Sequence, residues 1–284
     1  HYALEIKTIK TTGDNNPMQR LDKIGGKGLF AKEIENEIIS GQVDIGVHSM
    51  KDLPASEFMK ELEIVCWLKR YDSHDVIISN SGVGIMDLPK GSIIGTSSIR
   101  RRSQVLKIRK DLNIKVLRGN VDTRISKLHN HEYDAIILSL AGLQRLQKEN
   151  IVTEVLDFKS FLPAACQGAV GIQAKKGSDF KTLFKDLNDK NTELECCAER
   201  EILRLINANC NSPVSVLAKV KNDDLSISFE ILDHSGEVLF EKNVQSSKFK
   251  YKESCLLLSK EIIGAVGQKK INELDNLDDF NYTA

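Results

Sequence analysis

Aromatic residues make up only 6% of the 284-residue chain, tryptophan occurs once and proline five times. No apolar run is long enough to cross a bilayer as a helix, and the N-terminus lacks the basic-then-apolar pattern of a secretory leader. Net charge is also missing, because 40 basic side chains balance 40 acidic ones. That balance argues against a general polyanion binder, so any local excess of charge needs a local cause. The six cysteines (Cys66, Cys166, Cys196, Cys197, Cys210 and Cys255) form no CxxC pair and are too sparse for a disulfide scaffold. They read as thiols of a cytoplasmic protein. With no ligand-spaced His/Cys/Asp cluster, no metal is expected. There is no Walker sequence, and "GGKGLF" (25–30) departs from GxGxxG, so nucleotide binding has little support. What is present, 41% apolar residues, suits a soluble protein of two or three domains with ample core.

Periodicity supplies the architecture. "LEIKTIK" (4–10) alternates like a strand, residues 28–40 repeat apolar positions at helical spacing, and "VDIGVHS" (43–49) is a strand again. The runs "HDVIIS", "GSIIGTS", "NIKVL" and "YDAIILS" follow, the last three separated by helical segments at 98–110 and 120–130. Such alternation predicts an α/β fold with mixed, mostly parallel sheets. From about residue 213 three consecutive strands and a helix at 251–268 predict a smaller C-terminal α+β domain with antiparallel strands.

Three local features stand out. In "GTSSIRRRSQ" (95–104) arginines follow a strand end at what reads as a helix start, capped by Ser97 or Ser98. Cations in a first turn oppose the helix dipole unless an anion is there. A second strand-to-helix junction follows at Arg118-Gly119-Asn120, with Arg124 beyond it, and residues 100–127 hold ten basic and two acidic side chains. Arginine forks suit carboxylates or phosphates, and the scarcity of interleaved aromatics disfavours single-stranded nucleic acid. A solvated basic face is the plainer alternative. In "VHSMKDLP" (47–54), His48, Lys51 and Asp52 gather a base, a cation and a carboxylate at another strand end, although an Asp before Leu-Pro is also ordinary turn chemistry. Cys210 lies in a polar loop after a Glu- and Arg-rich helix at 192–206, where a thiol can reach solvent or simply be inert.

Taken in order, "GGKGLF", "VHSMKDLP", "GTSSIRR", "LRGNVDTR", "YDAIILSLAGLQRL", "QGAVGI" and a late cysteine followed by "NSPV" resemble the porphobilinogen deaminase (hydroxymethylbilane synthase) family over nearly the whole chain. The resemblance implies two lobes like those of periplasmic binding proteins and a third domain. These would be residues 1–68 with 167–187 (catalytic lobe), 73–163 (arginine-rich lobe) and 190–284 (cofactor-attachment domain), hinged near 68–73 and 163–168. It implies a transferase of haem biosynthesis that adds four porphobilinogen units head to tail, with loss of ammonia, to a dipyrromethane cofactor held on Cys210, and then releases linear hydroxymethylbilane by hydrolysis. Asp52 falls on the catalytic position. Lys51, Ser49, Thr96, Ser98, Arg100, Arg101 and Arg118 fall on cofactor-contacting positions, and Arg118, Arg124, Arg145 and Phe30 on substrate-contacting ones.

Arg102 is left outside the site. The implied partner is porphobilinogen alone, bound by a cytoplasmic monomer with no nucleic acid or membrane. A non-catalytic module for small polycarboxylates is the alternative reading. The family's opening strand and helix, with an Arg-x-Ser segment, have no match here. Cys166 stands where the family commonly has glycine, and "NANC" replaces a glycine-rich approach to Cys210, a change expected to act through Ala208.

Overall fold

The computed structural model describes residues 3–9, 31–55, 60–209 and 212–274. Residues 3–9 form no strand, and Leu4 and Ile6 are exposed. The strand expected at 4–10 is therefore not observed over these residues. Alternation supplies one buried face only when a neighbouring strand completes the ladder.

The first lobe begins with α1 (Lys32–Ser40), which ends where Gly41 turns left-handed (φ 76°) and donates its N–H to Glu37 and Ile38 carbonyls. Strand β1 (Ile45–Ser49) runs into a 3-10 turn (Met50–Asp52), and β2 (Leu62–Trp67) follows. The chain then crosses to a second lobe made of β3 (Asp75–Ser79), β4 (Ile93–Gly95), α2 (Ile99–Ile108), β5 (Asn113–Lys115), α3 (Val121–His129), β6 (Ala135–Ser139), α4 (Leu140–Arg145) and β7 (Glu154–Val155). It returns as β8 (Val170–Lys175), and continues through α5 (Phe180–Leu183), α6 (Lys190–Leu205), β9 (Val214–Lys221), β10 (Asp224–Leu232), β11 (Val238–Ser247), α7 (Tyr251–Val266) and α8 (Gln268–Glu273).

Three sheets result, ordered β1-β8-β2, β5-β4-β6-β3-β7 and β11-β10-β9. The sheets are mixed, as expected, but antiparallel pairs predominate where parallel ones were expected to. Among the described residues only β4 with β5 and β4 with β6 pair in parallel, while every pair of the first and third sheets is antiparallel. The cause is the double crossing: β3 enters the second lobe against β6 and β7, and β8 re-enters the first against β1 and β2. The second sheet is covered on both faces, by a core around Ile77, Ile94, Ile137 and Phe161 and another around Val76, Leu117, Ile136 and Leu143. The third sheet packs on α6 and α7 through Ile202, Val216, Phe229 and Leu258.

The two crossing segments run side by side. Leu68 N donates to Val170 O (2.9 Å) and Tyr71 N to Gly168 O (3.1 Å). Gly168 is left-handed (φ 86°), and a Cβ there would lie 2.6 Å from Tyr71 O, so a side chain is excluded. Arg70 fastens the first crossing to α6, pairing with Glu199 (2.8 Å) and Glu195 (3.3 Å). The third domain also touches the arginine helix: Gln104 Nε2 donates to Ser215 Oγ (3.1 Å), and Lys107 pairs with Glu230.

Candidate active site

Asp52 is presented by burial of its neighbours. Met50 (1% exposed) and Leu53 (5%) are drawn into the core beside Trp67, and Arg200 Nη1 donates to Leu53 O (3.0 Å). Between those anchors Lys51 is half-buried and Asp52 is exposed. His48, Ser49, Asp52 and Leu53 line one shallow cleft. His48 is buried, and burial lowers its pKa below the ordinary 6.5, so it is neutral at pH 7. Burial, with Arg100 and Arg101 nearby, likewise lowers Lys51 below 10.5, against the pull of Asp52 and Asp75.

On the second lobe, Ser98 caps α2 by accepting from Arg101 N, and Thr96 Oγ1 accepts from Ser98 N (3.2 Å). The first-turn arginines are not open to solvent: Arg100 is 4% and Arg101 6% exposed. Both bind Asp75, which is fully buried. Arg100 Nη2 reaches Oδ2 (2.7 Å), while Arg101 Nε and Nη2 reach Oδ1 (3.0 and 2.6 Å). Their remaining Nη1 atoms donate to Leu162 O (2.7 Å) and Ile137 O (2.9 Å). The anion that the first-turn cations require is thus supplied by the protein itself. Burial alone would raise the Asp75 pKa, but Arg100 and Arg101 hold it far below the ordinary 3.8. Two guanidinium charges against one carboxylate leave the unit with one net positive charge.

Arg118 and Arg124, both half-buried, frame the next junction. Asn120 caps α3 by accepting from Thr123 N (2.8 Å), and Arg124 Nε donates to Gly119 O (2.7 Å). The Arg124 pKa is pushed down to about 10 by burial and then by Arg101 and Arg118, with Asp52 opposing. Asp52 of the first lobe therefore lies within electrostatic reach of the second lobe's arginines. Arg145 is placed elsewhere: Nη2 donates to Gly168 O (2.9 Å) and its guanidinium lies 4.8 Å from the Tyr71 ring centre, both on the crossing segments. Phe30 and Cys210 lie outside the described residues. The Cys210 loop is bracketed by Asn209 N donating to Ser212 Oγ (3.1 Å) and Ser212 N donating to Asn209 O (3.1 Å). The left-handed residue of this approach is Asn207 (φ 54°), and Ala208 is not among the positive-φ positions.

Sequence reasoning missed Asp75 and Gln167. Gln167 Nε2, on the returning segment, donates to Asp75 Oδ1 (2.9 Å) and Ser73 O (2.9 Å), and so joins both crossings to the arginine pair. The available signal was an aspartate opening a strand whose other positions are all buried, because such a carboxylate must have cationic partners.

Residues 1–182 match the porphobilinogen deaminase dipyromethane cofactor binding domain, and 193–264 match the porphobilinogen deaminase C-terminal domain. The chain belongs to the porphobilinogen deaminase family. Its relatives include porphobilinogen deaminases of Syntrophobacter fumaroxidans, 44% identical over 84% of this chain and 77% of that protein, and of Clostridium beijerinckii, 43% identical over 83% and 80%. That of Geobacillus kaustophilus is 40% identical over 86% and 79%. Among solved structures, substrate binding domain 2 of Lactococcus lactis GlnP is similar at 18% identity and TM-score 0.35, covering 56% of this chain and 67% of that one.

Family membership makes the chain an enzyme of tetrapyrrole biosynthesis with a dipyrromethane cofactor. The residues fit such a group. Its acetate and propionate carboxylates match Arg118, Arg124 and the net positive charge on the Arg100–Arg101–Asp75 unit, with the Ser98 hydroxyl at the helix cap. No described helix is long and apolar enough to cross a membrane.

Proposed function

We propose that this chain, as a cytoplasmic monomer, condenses four porphobilinogen molecules into linear hydroxymethylbilane with release of ammonia, using Asp52 as its catalytic group. The observation that supports this most directly is the exposed Asp52 carboxylate within electrostatic reach of Arg124 on the second lobe. When bound, the dipyrromethane supplies a nucleophilic pyrrole carbon on which the product is extended, and the Cys210 sulfur holds it by a thioether. Asp52 stabilises the positive charge that develops on the porphobilinogen as ammonia leaves, and it takes up the proton shed at each new carbon–carbon bond. Lys51, lowered by burial, and Ser49 orient substrate beside it. Arg118 and Arg124 bind substrate and product carboxylates directly. Arg100 and Arg101 act as one unit with Asp75, offering a fixed positive field instead of two free forks. Arg145 binds substrate near the hinge, and Phe30 stacks on the pyrroles.

The domain division 1–68 with 167–187, 73–163 and 190–284 is supported by β8 pairing with β1 and β2. Intact mass of the parent and of Cys210→Ser tests the anchor. An adduct of two linked pyrroles present only on the parent supports it, and an adduct surviving in the variant refutes it. Asp52→Ala tests the chemistry, since turnover retained in a folded variant would remove Asp52 from the mechanism.

A further inference from the structure

In the core cluster that also holds Met50 and Leu53, beneath the Asp52 turn, three ligand-type groups meet. The Sγ atoms of Cys166 and Cys196 and a carboxylate oxygen of Glu199 lie within 4.8 Å of one another, and all three residues are buried. The trio invites a metal, but Glu199 has no acceptor position to give. One oxygen accepts from Arg70 Nη1 (2.8 Å) and Ala218 N (2.8 Å), the other from Arg70 Nη2 (3.2 Å) and Cys166 N. Arg70 already supplies the positive charge a cation would bring. What remains is a dithiol.

Its two halves belong to different parts of the fold. Cys166 sits on the returning crossing in a left-handed conformation (φ 59°) suited to glycine, and its thiol lies 3.7 Å from Cys196 O. Cys196 is on α6 of the third domain. Cys197, next along α6, is half-buried and close enough to Cys166 to feel its charge.

We infer that Cys166 and Cys196 form an oxidative modification site, closed to a disulfide by exchange with an external disulfide-type oxidant, RSSR. Cys166 is 1% exposed, so the reaction proceeds through local opening of the returning segment, in which the deprotonated Cys166 sulfur attacks one sulfur of RSSR and expels the first thiolate. The Cys196 sulfur then attacks the mixed disulfide at Cys166 and expels the second. Two cysteine thiols lose two electrons, RSSR gains them as two RSH, and the two cysteine protons go to the departing thiolates. The hydrogen bond with Cys166, and then burial, hold Cys196 well above the ordinary 9.0, so closure is slow at neutral pH and faster as pH rises. Arg70 already fastens the first crossing to α6. The disulfide fastens the second, so both hinge segments are fixed to the third domain. Turnover then falls, a consequence that rests on the proposed catalytic reading.

The test treats the full chain with excess oxidised glutathione at alkaline pH and maps cross-linked peptides without reduction. A Cys166–Cys196 link, reversed by dithiothreitol and absent from Cys166→Gly and Cys196→Ala, supports the site. Glycine suits the backbone at 166, so that variant stays folded. Glutathione adducts without the link, a link through Cys197, or no reaction overturns it. With the link formed, turnover drops by about an order of magnitude and recovers on reduction. Unchanged turnover of linked protein overturns the hinge consequence. Failure of the reduced parent to turn over at all counts against the catalytic reading, while the peptide map still decides the disulfide.

Discussion

Asp75 is fully buried, accepts hydrogen bonds from Arg100, Arg101 and Gln167, and lies far below its ordinary pKa, whereas Asp52 stands exposed on a 3-10 turn with its neighbours buried beneath it. The same side chain is thus held in opposite surroundings, one dry and saturated, the other open to solvent. A carboxylate that organises must be saturated, because each unmet acceptor in a dry interior is costly. A carboxylate that reacts must keep its acceptor positions for the ligand. Burial and saturation, not charge, separate Asp75 from the role proposed for Asp52.

The sharpest way to break this comparison is Asp52→Ala. Loss of a group that handles charge and protons should lower turnover by about 10²–10⁴-fold while thermal unfolding stays within a degree or two of the parent. Next is Asp75→Asn, which leaves Arg100 and Arg101 buried without their counter-charge. It should cost about 3–5 kcal/mol in urea unfolding, a loss far larger than that of Asp52→Ala. If the two aspartates exchanged these phenotypes, the assignment of roles would be wrong. The pH dependence adds a second reading of Asp75. Its folded pKa lies below the unfolded 3.8, so its stabilisation is fully present above about pH 4 and is lost as pH falls toward the folded value. Acid titration of unfolding should show that loss in the parent and not in Asp75→Asn.

Gln167→Leu removes two hydrogen bonds and leaves their acceptors buried, so about 1–3 kcal/mol of destabilisation is expected, with Asp52 chemistry retained. Arg124→Gln should raise KM for porphobilinogen about tenfold with little change in stability, since one charge-assisted contact is worth about 1.5–3 kcal/mol. The smallest effect belongs to Glu201→Gln, whose pair with Arg204 is on the surface of α6. A change within about 0.5 kcal/mol is expected there.

Much of this was legible in the chain. The strands at Asp75–Ser79 and Ala135–Ser139 and the capped helix at Ile99–Ile108 follow from apolar runs and from Ser98, because local pattern is enough for local structure. Asp52 was legible as a candidate through its position after a strand. Strand direction was not, because antiparallel pairing of β3 and β8 depends on where the chain crosses, which periodicity does not record. The state of Arg100 and Arg101 was also hidden. Their partner lies 25 and 26 residues earlier in the chain, and only the fold brings it beneath the helix. Arg145 illustrates the same limit, since its contacts with Gly168 and Tyr71 join segments far apart in sequence.

Helix α6 carries a last consequence. Glu199, which grips Arg70 at the hinge, and Leu205, which ends the helix shortly before the Cys210 loop, lie on one continuous rod. At about 1.5 Å per residue the rod keeps these two points about 9 Å apart along its axis. The chain leading to the Cys210 loop is therefore surveyed from the crossing segment itself. Under the proposed attachment at Cys210, the stem that carries the growing product is fixed to Glu199, and every added pyrrole must be accommodated at the free end.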